Sequence, residues 1–368
     1  MRRAGLGLAG PIAIAIAIAF GGAASAEPTV TVLPLPFAAT EFRGPGSRVA
    51  AVVASTDGLR AERALADRPL VAVWGRSGGA ALTLDGGAIR VVRLRGGPGD
   101  LSTAERGRDA IPGSRIESAG PLTVELTEPT GEYPHEALGS AVHAASLSVR
   151  ERRPVSPGGD PKLVPVELTR IPAGPGAVFE DREPRLVSFP GGTAIVTVRS
   201  DRARGSSLLV LSKRDGRWAT LAETPPTGEP ARWLNPAAVA DFLGTGRPQV
   251  ALVQTPHGEG IVEIWDVADG TPALKAAKAG YSNHAFGAAA QDLAAAFDLD
   301  GDGRAELVLP TGDRHGVAIL SFRAGGAAEI RRIPLPARVA TGLAVLGTGA
   351  EAHILAGLED GRVADIRP

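Results

Sequence analysis

The segment Asp298-Leu299-Asp300-Gly301-Asp302-Gly303-Arg304-Ala305-Glu306-Leu307-Val308-Leu309 aligns without a gap on Asp241-Phe242-Leu243-Gly244-Thr245-Gly246-Arg247-Pro248-Gln249-Val250-Ala251-Leu252. Each runs from an acid through two glycines into a short apolar run. Leu346-Gly347-Thr348-Gly349 repeats Leu243 to Gly246, and Phe42-Arg43-Gly44-Pro45-Gly46 ahead of Val49 is a weaker copy. Gly244 and Gly301 lie 57 residues apart, and Gly301 and Gly347 lie 46 apart. Periods of roughly 40 to 60 residues, each holding about four short strands, fit the blades of a β-propeller.

The rest of the chain agrees with that period. Short runs rich in Val, Ile and Leu recur throughout, among them Val49 to Ala54, Leu70 to Trp74, Ile89 to Leu94, Ala194 to Val198, Val250 to Val253 and Val317 to Phe322. Turn dipeptides such as Asp215-Gly216, Asp269-Gly270 and Gly325-Gly326 separate them, which is all-β spacing. Gly (48) and Pro (30) make up about a fifth of the 368 residues, against roughly 12% in average proteins, so long helices cannot dominate. With 44% hydrophobic residues the chain can fill a core, which excludes a disordered chain.

A blade cannot bury both faces alone, so neighbours must stack and the ring must hide its last edges. Thr29-Val30-Thr31-Val32-Leu33-Pro34-Leu35-Pro36 resembles Glu329-Ile330-Arg331-Arg332-Ile333-Pro334-Leu335-Pro336, which reads as the outer strand of a blade. The chain ends on Arg362 to Ile366, a third strand, so Thr29 to Leu33 is expected to supply the fourth and close the ring. The 342 residues after Ala26, at a period of about 55, give six blades, with seven as the alternative. Residues 95–120 and 151–182 match the repeat least and are expected to hold long loops. A second echo, Tyr133-Pro134-His135-Glu136-Ala137-Leu138-Gly139 against Tyr281-Ser282-Asn283-His284-Ala285-Phe286-Gly287, falls out of step with the blades.

The first 26 residues read as an address. Arg2 and Arg3 precede an apolar run from Leu6 to Phe20, and Ala24-Ser25-Ala26 presents small residues at −3 and −1 of a cut before Glu27. These are the parts of a cleaved secretory signal peptide, and the run is short of the roughly 20 residues that span a bilayer. The expectation is one propeller domain, 27–368, periplasmic or extracellular, with no transmembrane segment in the mature chain. Having no cysteine, it can carry neither disulfides nor an N-terminal lipid on Cys. The net charge of −1 gives no footprint for nucleic acid. Arginines spread singly along strands and turns are expected to be mostly solvated surface.

One motif carries chemistry. Asp298, Asp300 and Asp302 occupy positions 1, 3 and 5 of a loop, with Gly303 at 6, Arg304 at 7 and Glu306 at 9. Alternate carboxylates on a tight loop converge their oxygens, the Gly lets the chain turn back, and the carbonyl at 7 adds a ligand; hard oxygens in that number suit Ca²⁺. Position 12 is Leu309 and not an acid, so helix–loop–helix fails and strand–loop–strand survives. The bland alternative is an Asp-Gly turn with solvated acids. Phe297 to Val308 resembles the Asp-rich loop of the FG-GAP/VCBS repeats of integrin alpha-type β-propellers. That resemblance implies Ca²⁺ held by Asp298, Asp300, Asp302, Glu306 and the carbonyl of Arg304, although the family usually has Asp where Glu306 stands. The copy at Asp241 keeps position 1 but has Leu243, Thr245 and Gln249 at 3, 5 and 9, and the copy at Gly347 has Ala344, Leu346 and Thr348 at positions 1, 3 and 5, so a single structural calcium is implied.

Catalytic motifs are thin. Gly75-Arg76-Ser77-Gly78-Gly79 satisfies G-x-S-x-G, but the following Ala80 to Leu84 is strand-like where a nucleophile elbow needs a helix. None of the six histidines forms HxH or HExxH; His135 and His284, in the echoed Tyr segments, are candidates for lining one mouth of the ring. The tryptophans are expected to pack between blades, with Trp233 the candidate for stacking on a sugar or peptide. The expected function is therefore a binding or scaffolding module for a protein or polysaccharide. The alternative is an extracytoplasmic hydrolase or lyase acting on polysaccharide, with acids or histidines clustered at inner-strand ends in the central funnel. A weaker third is a subunit of an envelope complex docking through a blade edge.

Overall fold

The computed structural model describes residues 27–55, 67–95, 98–155, 164–267, 270–323 and 326–368. The expected signal peptide lies outside the described residues, as do Asp269 and Gly325 of two expected turns. After β1 (Thr29–Val32), the first four-stranded sheet is β2 (Glu41–Arg43), β3 (Leu70–Gly75), β4 (Gly78–Asp85) and β5 (Ala88–Arg93). Blade 2 is β6 (Glu117–Ala119), β7 (Leu122–Thr130), β8 (His143–Arg152) and β9 (Val166–Pro172), paired in that order. After β10 (Ala177–Phe179), blade 3 is β11 (Arg185–Phe189), β12 (Gly192–Asp201), β13 (Gly205–Arg214) and β14 (Arg217–Glu223). Strand β10 pairs with both β8 and β12, so blades 2 and 3 merge into one nine-stranded sheet.

Blade 4 is β15 (Leu234–Ala240), β16 (Gln249–Gln254), β17 (Ile261–Asp266) and β18 (Ala273–Lys278), and blade 5 is β19 (Ala295–Phe297), β20 (Glu306–Pro310), β21 (Gly316–Arg323) and β22 (Gly326–Pro334). The sixth sheet, β23 (Val339–Leu346), β24 (His353–Leu358) and β25 (Val363–Arg367), takes β1 as its outer strand, with Thr29 opposite Arg367 and Val32 opposite Ala364. The chain is thus an all-β propeller of six four-stranded units. The N-terminal strand holds the outer position its likeness to β22 implied.

The second strand of a blade explains the apolar runs. In β20, Val308 packs with Ile319, Ile354 and Ala356 toward blade 6, while its neighbours Leu307 and Leu309 pack with Ala251 and Ile264 toward blade 4. Because successive side chains point to opposite faces and both faces are covered, the run is continuously apolar and does not alternate. The same holds between blades 6 and 1 (Leu355 with Val71), 3 and 4 (Val196 with Leu252) and 2 and 3 (Val124 with Ile195). Outer strands such as β22 have a free edge and alternate in exposure.

Two expectations are corrected. Val49 to Ala54, expected as a strand, is the helix α1 (Arg48–Ala54), capped by Ser47, whose Oγ accepts from Ala50 N at 3.1 Å. A short apolar run does not distinguish helix from strand by itself; here the cap and the burial of Val49, Ala50 and Val53 on one side settle it. Residues 98–104, within a stretch expected as loop, form α2 (Pro98–Ala104). The two helices pack Val49, Val53 and Leu101 against Trp74 and Ala81 of blade 1. The other expected loop, 151–182, includes β9 and β10.

The Gly-rich copies all join the first strand of a blade to the second: Gly44 after β2, Gly244 after β15, Gly301 after β19 and Gly347 after β23. They dock on one another, Ala305 N donating to Asp241 O at 2.9 Å and Gly349 N to Asp298 O at 3.0 Å. Close to the axis the strands approach so tightly that a methyl group on Gly342 of β23 would overlap the buried Phe42 ring of β2. Gly342→Ala is expected to cost about 1–3 kcal/mol of stability through overpacking; a denaturant midpoint equal to that of the parent chain would contradict this contact.

Candidate functional site

Between β19 and β20 the turn is built by carboxylates capping backbone amides. Asp298 accepts from Gly301 N at 2.7 Å and Gly303 N at 2.9 Å, Asp300 from Asp302 N at 3.2 Å, Asp302 from Arg304 N at 2.9 Å and Glu306 from Leu299 N at 2.9 Å. Of the five residues the sequence singled out, carboxylate oxygens of Asp298, Asp300 and Glu306 lie within 4.8 Å of one another. Asp302 stands outside that group, its Oδ2 3.0 Å from Arg323 Nη2, which also pairs with Asp300 Oδ2 at 2.7 Å. Burial, and then the charges of Asp300, Asp302 and Asp298, push the Glu306 carboxyl above its usual range.

The matching loop of blade 4 shows what can occupy such a centre without an ion. Asp241 again caps two amides, Thr245 N at 3.0 Å and Gly246 N at 2.6 Å. Gln249, at the Glu306 position, accepts from Phe242 N at 2.9 Å and from Leu243 N at 3.2 Å. Its Nε2 then donates to Thr245 Oγ1 at 3.1 Å and to the Arg247 carbonyl at 2.7 Å. Those two oxygens correspond to positions 5 and 7 of the Asp298 loop. In blade 4 an amide N–H₂ therefore ties these two oxygens together.

A second site lies on the axis. Small residues on the inner strands, such as Ala295 and Ala344, leave a channel occupied by two cavities of about 640 and 420 Å³. Both cavities are lined by Arg43, Glu105 and Arg115, which form a partition between them. Arg43 forks onto Glu105 through Nε at 2.8 Å and Nη2 at 2.6 Å, and its guanidinium carbon lies 5.1 Å from the centroid of the Trp74 ring. Arg115 Nη1 reaches Glu183 at 3.0 Å and Asp292 at 3.2 Å. Burial would lower both guanidinium pKa values, but the surrounding carboxylates outweigh it and hold both above the usual value. These buried arginines are exceptions to the expectation that arginines here are mostly solvated surface. Sequence spacing carried no signal for them, because the network draws on residues 43, 105, 115, 183 and 292.

Among the described residues, Asp292 Oδ1 is buried without a hydrogen-bond partner, and Glu117 lines the same cavity. Burial first, and then Glu183, push Glu117 up to about 8 against the opposing pull of Arg115 and Arg185.

The aromatic and histidine candidates resolve as packing. Trp233 is buried, donates Nε1 to Glu180 O at 2.9 Å and stacks on His257, so it offers no face to a sugar. His284 is buried beneath it, bonded to His257 at 2.7 Å and Ala288 O at 3.0 Å, and does not line a mouth. His135 is partly exposed and rests on the buried Glu180, whose hydrogen bond raises its pKa. Ser200 donates to Glu180 at 2.5 Å and not to a histidine, so no nucleophile–base pair is built there. The echoed segments touch, Gly287 N donating to Ala137 O at 2.9 Å. Ser77 sits in the β3–β4 hairpin turn.

No family model matches the chain, and no curated protein matches it in sequence. Among solved structures, a Trypanosoma rangeli sialidase complex aligns over 92% of this chain and 58% of its own, with 11% identity and a TM-score of 0.43. AofleA from Arthrobotrys oligospora aligns over 90% of this chain and 83% of its own, with 9% identity and a TM-score of 0.39. The N-terminal domain of Nup159 aligns over 81% and 72%, with 12% identity and a TM-score of 0.38.

Gln249→Glu is expected to turn the hydrogen bond donated to the Arg247 carbonyl into an acceptor–acceptor contact and cost about 1–3 kcal/mol near neutral pH. The deficit should shrink on acidification, as the carboxyl regains a proton to donate; equal stability of variant and parent at pH 7 would contradict the role of the amide. A second expectation concerns acid. Burial drives His257 to about 4 and His284 to about 3. Unfolded histidine titrates near 6.5, so below that pH the unfolded chain takes up protons that the folded chain does not. The pair's contribution is complete above about 6.5 and is lost as pH falls toward 4. The difference in denaturant midpoint between parent and His257→Gln should change over that window and stay flat above it.

Proposed function

We propose that the chain is an extracytoplasmic β-propeller binding module that receives a small polar ligand in its axial channel and holds one structural calcium ion in the Asp298 loop. The observation that carries the binding reading is the state of the partition: its arginines pair with Glu105, Glu183 and one oxygen of Asp292, while the other oxygen, Asp292 Oδ1, is left unmatched in the cavity beside it. Paired charges of this kind fix the shape of a site, and unmatched buried acceptors are costly until a donor meets them. Titrating small polar compounds into the parent chain and into Ala295→Phe, which fills the smaller cavity, tests it. Binding is expected in the first and lost in the second.

A hydrolase or lyase remains the second reading because acids do stand at inner-strand ends. Glu117, pushed up to about 8 and so protonated near neutral pH, lies close to the ion-paired Glu183. That is the separation of roles that general acid–base work on a glycosidic bond requires. Polysaccharide cleavage by the parent chain, abolished in Glu117→Gln, would establish it over binding.

For calcium, the support is the convergence of Asp298, Asp300 and Glu306, together with the contrast with blade 4, where an amide supplies the positive centre. This is the sense in which the loop is read as FG-GAP/VCBS-like. Bound there, Ca²⁺ would neutralise the acids and tie the end of β19 to the start of β20, a structural role. Asp298, Asp300 and Glu306 would hold it, with the Arg304 carbonyl, and Asp302 would join by leaving Arg323. Calcium at a hundredfold excess over Kd is expected to add about 2.7 kcal/mol of stability relative to chelator. Asp300→Ala should abolish the difference, and identical melting with calcium and with chelator would overturn the site. The extracytoplasmic reading rests on residues 2–26, and mass spectrometry of the protein recovered from its native host is expected to find Glu27 as the first residue.

A further inference from the structure

The partition of the axial channel holds an arginine edge that no acceptor fills, and the geometry points to that edge, in the larger cavity, as the site of a small monocarboxylate with a short apolar body. This site is separate from the smaller cavity on which the binding reading above turns. Arg43 and Arg115 share the partition but are used differently. The side-on edge of Arg43, Nε and Nη2, is filled by the Glu105 carboxylate at 2.8 and 2.6 Å. Arg115 engages only Nη1, with Glu183 at 3.0 Å and Asp292 at 3.2 Å. Among the described residues nothing accepts a hydrogen bond from its Nε or Nη2. Glu105 Oε1 stands 3.9 Å from Nε, outside hydrogen-bond range, and is already bound by Arg43. Arg115 is only 7% exposed, so this edge is a buried cationic donor without a partner, a costly state until an acceptor meets it.

In a planar guanidinium the Nε/Nη2 edge points directly away from Nη1. Glu183 and Asp292, the acceptors of Nη1, line only the smaller cavity, so the unfilled edge is turned toward the larger one, which Arg115 also lines. Shape and charge then select the ligand. A carboxylate sets two oxygens against such a fork, as Glu105 does on Arg43. Among the described residues that line the larger cavity, three arginines, Arg43, Arg106 and Arg115, stand against two acids, Glu41 and Glu105, an excess of one positive charge. One monoanion balances that excess, whereas an ammonium ion would double it and a dianion would reverse it. Arg106 is exposed and its side chain has no partner among the described residues, so its charge is free to attract an anion. Ile111, Pro112, Ala288, Ala289 and Ala290 make much of the remaining wall apolar, which suits a few methylenes behind the carboxylate.

The test is calorimetry at neutral pH on the purified chain with sodium hexanoate, hexylammonium chloride and 1-hexanol. Hexanoate is expected to bind, and the other two are not. Arg115→Lys keeps a cation for Glu183 and Asp292 but has no side-on edge, and it should weaken hexanoate by about tenfold or more. Arg106→Gln lies outside the ion-pair network and keeps the fold; by removing the excess charge it should weaken hexanoate several-fold. A melting curve checks that each variant is folded. Equal affinity for hexanoate in the parent and in folded Arg115→Lys overturns the inference; if that variant does not fold, equal affinity in Arg106→Gln overturns it. No binding of hexanoate, or equal binding of hexylammonium or hexanol, also overturns it. Ala295 lines only the smaller cavity, so Ala295→Phe separates the two sites. Hexanoate binding retained in Ala295→Phe supports the larger cavity, and hexanoate binding lost there overturns this site while leaving the ligand site of the smaller cavity standing.

Discussion

The structure depends on double-sided burial of the second strand of each blade. Val308 looks to blade 6, while Leu307 and Leu309 look to blade 4, and a strand with no solvent face has no stable existence outside the stack. This is why the chain's apolar runs are short and unbroken, and why its polar residues concentrate in turns and outer strands. It also sets the place of β1. Paired to β25, it covers an edge that the last three strands would leave open, and it binds the two ends of the chain into one sheet.

Stacking brings the loops between first and second strands side by side on one face. The docking of Ala305 on Asp241 O and of Gly349 on Asp298 O makes neighbouring loops share backbone hydrogen bonds. Each loop therefore needs an internal centre that keeps its carbonyls and amides in place. In blade 4 the centre is the Gln249 amide, and in blade 5 the acids converge. Between the two loops Leu243, Thr245 and Gln249 give way to Asp300, Asp302 and Glu306, so an uncharged centre is replaced by a cluster of acids.

Repetition made the architecture legible in the sequence, and the lack of it hid the site. The alignment of Asp298 to Leu309 with Asp241 to Leu252 located two blades, and the likeness of Thr29 to Pro36 with Glu329 to Pro336 placed an outer strand, because equivalent positions in a stack face equivalent demands. Between blades 1 and 2, helices α1 and α2 pack against blade 1, and a seven-residue apolar run such as Arg48 to Ala54 does not announce its period. Trp233 and His284 looked available because aromatic and imidazole groups serve at surfaces as well as in cores; the burial that decides between these uses belongs to tertiary packing. Arg43, Glu105, Arg115, Glu183 and Asp292 come from separate segments, and their association exists only once the inner strands are arranged about an axis.

That axis explains why charge sits at the centre of so apolar a fold. Inner strands meet at close range, and Gly342 against Phe42 shows how little room is left, so their axial side chains are small and a channel follows. Ala and Gly cannot fill it, and water alone would leave the strands unconnected across it. Long side chains from the end of an inner strand and from the inter-blade segments cross the gap, satisfied as opposite charges in forked contact, as in Arg43 with Glu105. Removing one member would strand its partner in a buried place, a penalty that can reach about 3–5 kcal/mol. The partition is therefore held in place by its own cost of disruption, and the carboxylate oxygen it leaves unmatched, Asp292 Oδ1, faces a cavity whose walls cannot close on it. A fold that leaves its axis open and spans it with charge owes its central cavities to the same constraint that stacks its blades.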